Sequence, residues 1–399
     1  MQVGLAKTDV SVASRSGRHR AATNELALIK TATLSTSTIH HHASSPAPPP
    51  TITNPHSHPP MSSPEIEYTQ LGPLTVPRIF TGLWQLSSAA WGVTDAARTR
   101  DMADQYGPAE AIFGEFRAAH PHPSTLIAAT KWCVFENIDP TPAAVEAAVR
   151  ARLAALQAPA VDLLQTHWGD YTGAYVRAHR ELDRLREGGL VRALGLCNMD
   201  CVRVDEICGA LGAGAVVSNQ VQFSIIDQRP LAGMAAVCAK HGLKLLTYGT
   251  LCGGFLSDKY LGAPEPDFAS PALTPSQRKY LDVITSIWGT WPLFQELLAA
   301  LRTIGARHGA PIAAVATRWV LDHACVGAVL LGARLGVSDH LADTAQIFKL
   351  RLSDEDRAGI EAVVGRSRGG EMMGRIGDCG AEYRGRVEGV KYYSPEGHA

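Results

Sequence analysis

Residues 126–168 read LIAATKWCVFENIDPTPAAVEAAVRARLAALQAPAVDLLQTHW, and this stretch decides the fold. Leu126–Lys131 is a short apolar run of strand length that closes on a lysine. Thr141 then stands as an N-cap with Pro142 at the first helical position, and a helix runs to Leu156. Val161–Thr166 is a second apolar run, ending against His167 and Trp168. Strand, helix and strand at this spacing form a βαβ unit, which pairs its two strands in parallel through a crossover helix.

The same alternation continues in both directions. Ile79–Trp84 reads as the opening strand. After Thr166 come a helix over Tyr175–Glu187 closed by Gly188 and Gly189, a strand over Val191–Leu196, and a helix capped by Asp200 that runs to Leu211. Ala215–Ser218, Lys244–Tyr248 and Val326–Leu331 read as further strands. Pro230–His241, Thr274–Ile287, Pro292–His308, Pro311–His323, Ser338–Phe348 and Ser353–Val364 read as helices. With one more strand ahead of Asp101, eight strands alternate with helices, which predicts an α/β fold of the (β/α)8 TIM-barrel kind. No G-x-G-x-x-G follows the first strand, which disfavours the open doubly wound alternative.

The 399 residues are 46% hydrophobic with a formal net charge of -1, so the chain can build a large core and carries no basic stripe to hold nucleic acid. No apolar run reaches the about 18 residues of a membrane span. The eight cysteines are scattered without a C-x-x-C pair, which points to reduced thiols, a cytoplasmic setting and no metal cluster. Self-association into a homo-oligomer is left open.

Residues 1–60 differ in composition. They are rich in Ser, Thr, Ala, Pro and His, with Asp9 and Glu25 as their only acids against Lys7, Arg15, Arg18, Arg20 and Lys30. Such text packs poorly, so residues 1–60 are expected to be a disordered tail. Basic, hydroxyl-rich composition also suits an organelle transit peptide, and Met61 is an alternative start. The expected division is therefore a tail over 1–60, a barrel over 61–365 and a C-terminal tail over 366–399.

In barrels of this type the reacting groups sit at the C-terminal ends of strands and in the loops beyond. Asp101 and Tyr106 are expected after strand two, Lys131 at the end of strand three and His167 at the end of strand four. Carbonyl reduction needs a hydride donor and a proton for the developing alkoxide. Tyr106 can supply the proton. Its phenol, with an ordinary pKa of about 10, needs a cation such as Lys131 beside it to act near neutral pH. Asp101 would keep Lys131 charged and oriented, and His167 would hydrogen-bond the carbonyl oxygen. Singly, each residue has a structural reading: a capping acid, a snorkelling lysine, an amphipathic aromatic, a core histidine. Together, at three successive strand ends, they form a constellation.

These residues resemble the aldo-keto reductase family. The D-x-A-x-x-Y-G text at Asp101–Gly107 carries the resemblance, and the family tetrad falls on Asp101, Tyr106, Lys131 and His167. The resemblance implies an oxidoreductase that uses NADP(H) to reduce an aldehyde or ketone to an alcohol, with Tyr106 as general acid and a small carbonyl compound as substrate. It places Asn198 and Gln220 on the nicotinamide carboxamide, with Cys197 where the family has serine. It also places Tyr248 on the nicotinamide ring, Gly249, Gly253 and Gly254 by the pyrophosphate, and Gly332, Arg334 and His340 by the adenosine phosphates. Substrate choice would lie in residues 134–139, 170–174 and 261–273 and in the C-terminal tail.

The sequence departs from the family ahead of Asp101. Only 16 residues, Gln85–Arg100, separate the first strand from it. A crossover helix and a strand need more, so the barrel is expected to be shortened around helix one and strand two. This keeps open an alternative, a catalytically impaired nucleotide-binding barrel that serves as a truncated isoform, sensor or subunit. A lyase or isomerase using Lys131 for a Schiff base fits the remaining segments less well.

Overall fold

A computed structural model of the chain describes residues 2–5 (as backbone), 66–83, 109–169, 173–332 and 341–384. Ten strands are numbered in chain order: β1 Gln2–Leu5, β2 Tyr68–Leu71, β3 Leu74–Pro77, β4 Ile79–Gly82, β5 Leu126–Val134, β6 Val161–Trp168, β7 Val191–Cys197, β8 Val216–Gln222, β9 Lys244–Tyr248 and β10 Val326–Gly332. The helices used below are α1 Ala109–Ala119, α2 Pro142–Leu156, α3 Ala174–Glu187, α4 Cys201–Leu211, α5 Met234–His241 and α6 Pro275–Asp282.

Strands β4 through β10 form the (β/α)8-type barrel wall, with β5–β6–β7–β8–β9–β10–β4 joined in parallel. The βαβ reading of residues 126–168 holds in detail. Helix α2 starts where expected, with Thr141 Oγ1 accepting from the Ala144 N–H at 3.2 Å. Asp200 caps α4 in the same way, accepting from the Arg203 N–H at 2.9 Å.

One place in the wall departs from the sequence reading. The position between β4 and β5, reserved for a strand ahead of Asp101, is taken by β1, which runs antiparallel to both neighbours. Gln2 pairs with Gly82 on one side and Ala129 on the other, and Leu5 pairs with Leu126. Gln2–Leu5 belongs to the stretch 1–60 that the sequence reading gave as a tail; residues 6–60 lie outside the described residues. The physical reason that Gln2–Leu5 joins the wall is the open edges of β4 and β5: unpaired backbone groups there are satisfied by any extended segment that reaches them. Residues 93–100, the expected site of strand two, lie outside the described residues.

The pleat sorts side chains onto two faces. On β5 and β6 the outward set, Ala128, Trp132, Val134, Leu164 and Trp168, joins the large cluster beneath the helices. The inward set, Ile127, Ala129 and Leu163, joins Phe80, Ala193, Leu246, Ala328 and Leu330 to fill the barrel. The β2–β3 hairpin adds Leu71, Leu74 and Val76 to this inner cluster. Continuing the inward alternation along β5 and β6 leads to Lys131, Gln165 and His167. The apolar plug therefore ends where the polar residues begin, at the C-terminal mouth.

Among the described residues no helix is long and apolar enough to cross a membrane, and no group of three or more His, Cys, Asp or Glu side chains is placed to hold a metal. All eight cysteines are free thiols.

Candidate active site

Lys131 and His167 project from adjacent parallel strands at the mouth, with Lys131 opposite Gln165 in register and His167 opposite Cys133. Both are buried. The half-turn periodicity of β5 and β6 delivers them to one side, since each lies an even number of residues beyond an inner-cluster residue. The exposed Phe135 packs its ring edge-on to His167 at 5.0 Å and forms an apolar wall beside it.

Asn198 follows β7 in the left-handed region, at φ 55°. Asparagine tolerates this conformation better than most residues, and it turns the side chain across the mouth. There Asn198 Nδ2 meets His167 Nε2 at 3.4 Å, and Tyr248 donates its hydroxyl to Asn198 Oδ1 at 2.9 Å. The Asn198 N–H donates to the Gln220 carbonyl at 2.9 Å, joining the ends of β7 and β8. Cys197 is buried, and burial pushes its thiol pKa up although Lys131 pulls the other way. Burial likewise raises the Tyr248 phenol, so it stays a neutral donor at physiological pH.

Gly249 follows β9 with φ +71°, and a Cβ there would stand 2.0 Å from the Tyr280 hydroxyl. The backbone at this turn can be approached only because the residue is glycine. Gly332 ends β10 beside Gly82. Asp101, Tyr106, Arg334 and His340 lie outside the described residues. Of the residues singled out from the sequence, the structure therefore gathers Lys131, His167, Asn198, Gln220 and Tyr248 at one mouth, with Gly249 and Gly332 at adjoining strand ends.

The sequence reading named the C-terminal tail for substrate choice but singled out none of its residues. A C-terminal strap, residues 369–384, crosses this mouth. Its anchor is a buried ion cluster: Arg229 binds Asp227 through Nε and Nη2 at 2.9 and 2.8 Å, and Glu382 through Nη1 and Nη2 at 2.9 and 2.8 Å. Burial works against the Glu382 carboxylate, but Arg229 outweighs it and holds the pKa below its ordinary value. Next to the anchor, Tyr383 sets its ring edge-on to His167 at 5.8 Å, accepts from Lys279 Nζ at 2.7 Å and meets the Tyr248 hydroxyl at 3.0 Å. Arg384 donates to the Asn198 carbonyl. Gly380, at φ +80°, lies so close to Asn198 that a Cβ would stand 2.1 Å from the Asn198 carbonyl oxygen. No local pattern announces these partners; Arg229 and Glu382 are 153 residues apart.

Comparison with known proteins places this architecture. The model of the aldo/keto reductase family matches residues 92–364, and the chain belongs to that family. Membership of that family supports a general oxidoreductase function, and the family typically works with a nicotinamide cofactor. It is 31% identical to flagellar radial spoke protein 5 of Chlamydomonas reinhardtii over 253 residues, which covers 62% of this chain and 43% of that protein. It is 23% identical over 328 residues to the aldo-keto reductase YhdN of Bacillus subtilis, covering 75% of this chain and 94% of that one. Among solved structures, the glycerol dehydrogenase AKR11B4 from Gluconobacter oxydans shares the fold with a TM-score of 0.58 at 22% identity, covering 77% of this chain and 96% of the other.

Proposed function

We propose that the protein reduces an aldehyde or ketone to an alcohol with NADP(H), and that Tyr106, Lys131, Asp101 and His167 carry the reaction. The observation that carries this reading is the placement of Lys131 and His167 on adjacent strands at the mouth, with Asn198 against His167 and Tyr248 against Asn198. The residues present fit a nicotinamide: Asn198 and Gln220 offer amide groups for a carboxamide, and Tyr248 offers a ring. Cys197, in place of the family's serine, offers a weaker donor. Gly332, Arg334 and His340 would meet the adenosine phosphates, and a 2′-phosphate on Arg334 or His340 would favour NADP over NAD.

The bound nicotinamide would supply a hydride to the carbonyl carbon. Tyr106 would give its phenolic proton to the carbonyl oxygen. Lys131 would stabilise the phenolate left behind, Asp101 would keep the ammonium oriented, and His167 would position the carbonyl through a ring N–H. General acid catalysis of this kind contributes about 100- to 10,000-fold.

A second reading is favoured by one observation: the 31% identity to a radial spoke protein, a protein named for an assembly. On that reading the barrel binds nucleotide without turnover and serves as a subunit. Following NADPH absorbance with a panel of aldehydes separates the two. Turnover supports the reductase; quenching of tryptophan fluorescence by NADPH with no turnover supports the subunit. A cytoplasmic or organelle location would show in cell fractionation, and a homo-oligomer in sizing.

A further inference from the structure

Asn198 opens the short turn that leads from β7 into α4, and it does so with φ 55°. A residue with a side chain rests in the left-handed region at a cost, and it stays there only where its surroundings hold it. One hold is local: the Asn198 N–H donates to the Gln220 carbonyl at 2.9 Å. The others come from the C-terminal strap.

Arg384 Nη2 donates to the Asn198 carbonyl. The Gly380 backbone lies against that carbonyl and against Asn198 Cβ, so closely that a Cβ on Gly380 would collide with both. At the far end of the turn the Asp378 carboxylate accepts from the Cys201 N–H at 2.7 Å. This N–H is among the first-turn donors of α4 that have no partner inside the helix, and Asp200 caps a different one, the Arg203 N–H. The strap therefore grips both ends of the turn.

The grip is seated on other elements. Glu382 is bound by Arg229, which stands between β8 and α5, and Lys279 on α6 donates to the Tyr383 hydroxyl at 2.7 Å. Gly380 and Arg384 bracket these two anchored residues. All of the strap's hold on Asn198 falls on its backbone and Cβ. The amide lies beyond, with Oδ1 accepting from Tyr248 at 2.9 Å and Nδ2 at 3.4 Å from His167 Nε2. A peptide released from the left-handed region would swing that amide away from the mouth.

We propose that Asp378, Gly380 and Arg384 are positioning residues. They clamp the β7–α4 turn so that Asn198 keeps its left-handed backbone and presents its amide to the carboxamide of a nicotinamide. The proposal rests on the reading above in which Asn198 meets that carboxamide.

The test is calorimetric binding of two ligands to the full-length chain: NADPH, and 2′-phospho-ADP-ribose, which keeps the adenosine and phosphates but lacks the nicotinamide. Gly380→Ala brings a Cβ against the Asn198 carbonyl, and Arg384→Met removes the donor. Both are expected to weaken NADPH roughly 3- to 10-fold, the share of one amide hydrogen bond, and to leave 2′-phospho-ADP-ribose within about 2-fold of the wild type. Arg384→Lys, which keeps a cationic donor, restores most of the NADPH affinity. Combined with Asn198→Ala, neither strap substitution adds a further loss, because both act through the same amide.

Equal losses for the two ligands would mark a general loosening and overturn the proposal, as would additive losses in the combined variants. So would NADPH affinity that is unchanged or tighter in Gly380→Ala and Arg384→Met, the tighter result marking the strap as a cover and not a clamp. Urea midpoints measured alongside verify that the variants fold. Asn198→Ala alone separates the two layers. If it binds NADPH as the wild type does, the carboxamide assignment falls and the clamp's purpose with it. If it weakens NADPH while the strap variants do not, the clamp alone falls.

Discussion

Replacing Glu382 with alanine tests whether the strap is locked over the mouth by its ion cluster. The substitution removes two charge-assisted hydrogen bonds to Arg229, at 2.8 and 2.9 Å, from a cluster whose side chains are at most 1% exposed. Hydrogen bonds to charged groups contribute roughly 1.5–3 kcal/mol each, and breaking a buried pair costs about 3–5 kcal/mol. Arg229 keeps both bonds to Asp227 and its bonds to the strap carbonyls, so it is not left bare. The expected loss therefore sits at the low end, about 3 kcal/mol. The assay is urea unfolding at neutral pH, read as a lower midpoint at unchanged slope, with hydrogen exchange over residues 377–384 as the local readout. Exchange there is expected to rise at least as much as global stability falls. A loss below about 1 kcal/mol with strap protection unchanged would refute the reasoning, because an exposed pair would behave that way.

Further outcomes follow from the same structure. His179 is buried, with its Nδ1 on the Tyr175 carbonyl at 2.7 Å and its Nε2 on the Thr166 hydroxyl at 2.6 Å, and burial lowers its pKa to about 4. The unfolded chain binds that proton near pH 6.5 and the native one near 4, so this stability is present above about 6.5 and lost as pH falls toward 4. The contribution is of order 3 kcal/mol, and His179→Gln should flatten the slope of stability against pH in that window. Lys131→Met is expected to lower turnover by about 100-fold or more while sparing NADPH binding; equal turnover would remove Lys131 from the mechanism. Deleting residues 2–5 uncovers the edges of β4 and β5 and should lower stability by about 2 kcal/mol or more, whereas an unchanged urea midpoint would show that β1 contributes nothing.

How far the sequence carried this account depended on the range of the interaction. Thr141 and Asp200 cap helices within three residues of themselves, so their text was sufficient. Lys131 and His167 were legible because strand periodicity and the strand-end rule are local as well. The strap was not, because Glu382 and Tyr383 take their meaning from Arg229, Lys279 and Tyr248, each more than 100 residues away. Gln2–Leu5 was hidden for the same reason: its composition belongs to a tail, and only the open edges of β4 and β5 give it a partner. The sequence did show that the text ahead of Asp101 is short for a helix and a strand. The filled position between β4 and β5 is the structural counterpart of that observation.

The central claim is that this mouth transfers a hydride to a carbonyl carbon with Tyr106 as the acid. Reaction of the full-length chain with NADPH deuterated at C4 of the nicotinamide, followed by mass spectrometry of the alcohol, measures that transfer. The account predicts deuterium on the carbinol carbon with the wild type and at least about 100-fold slower incorporation with Tyr106→Phe. An alcohol formed without deuterium from either C4 position, or equal rates in the two forms, would contradict it.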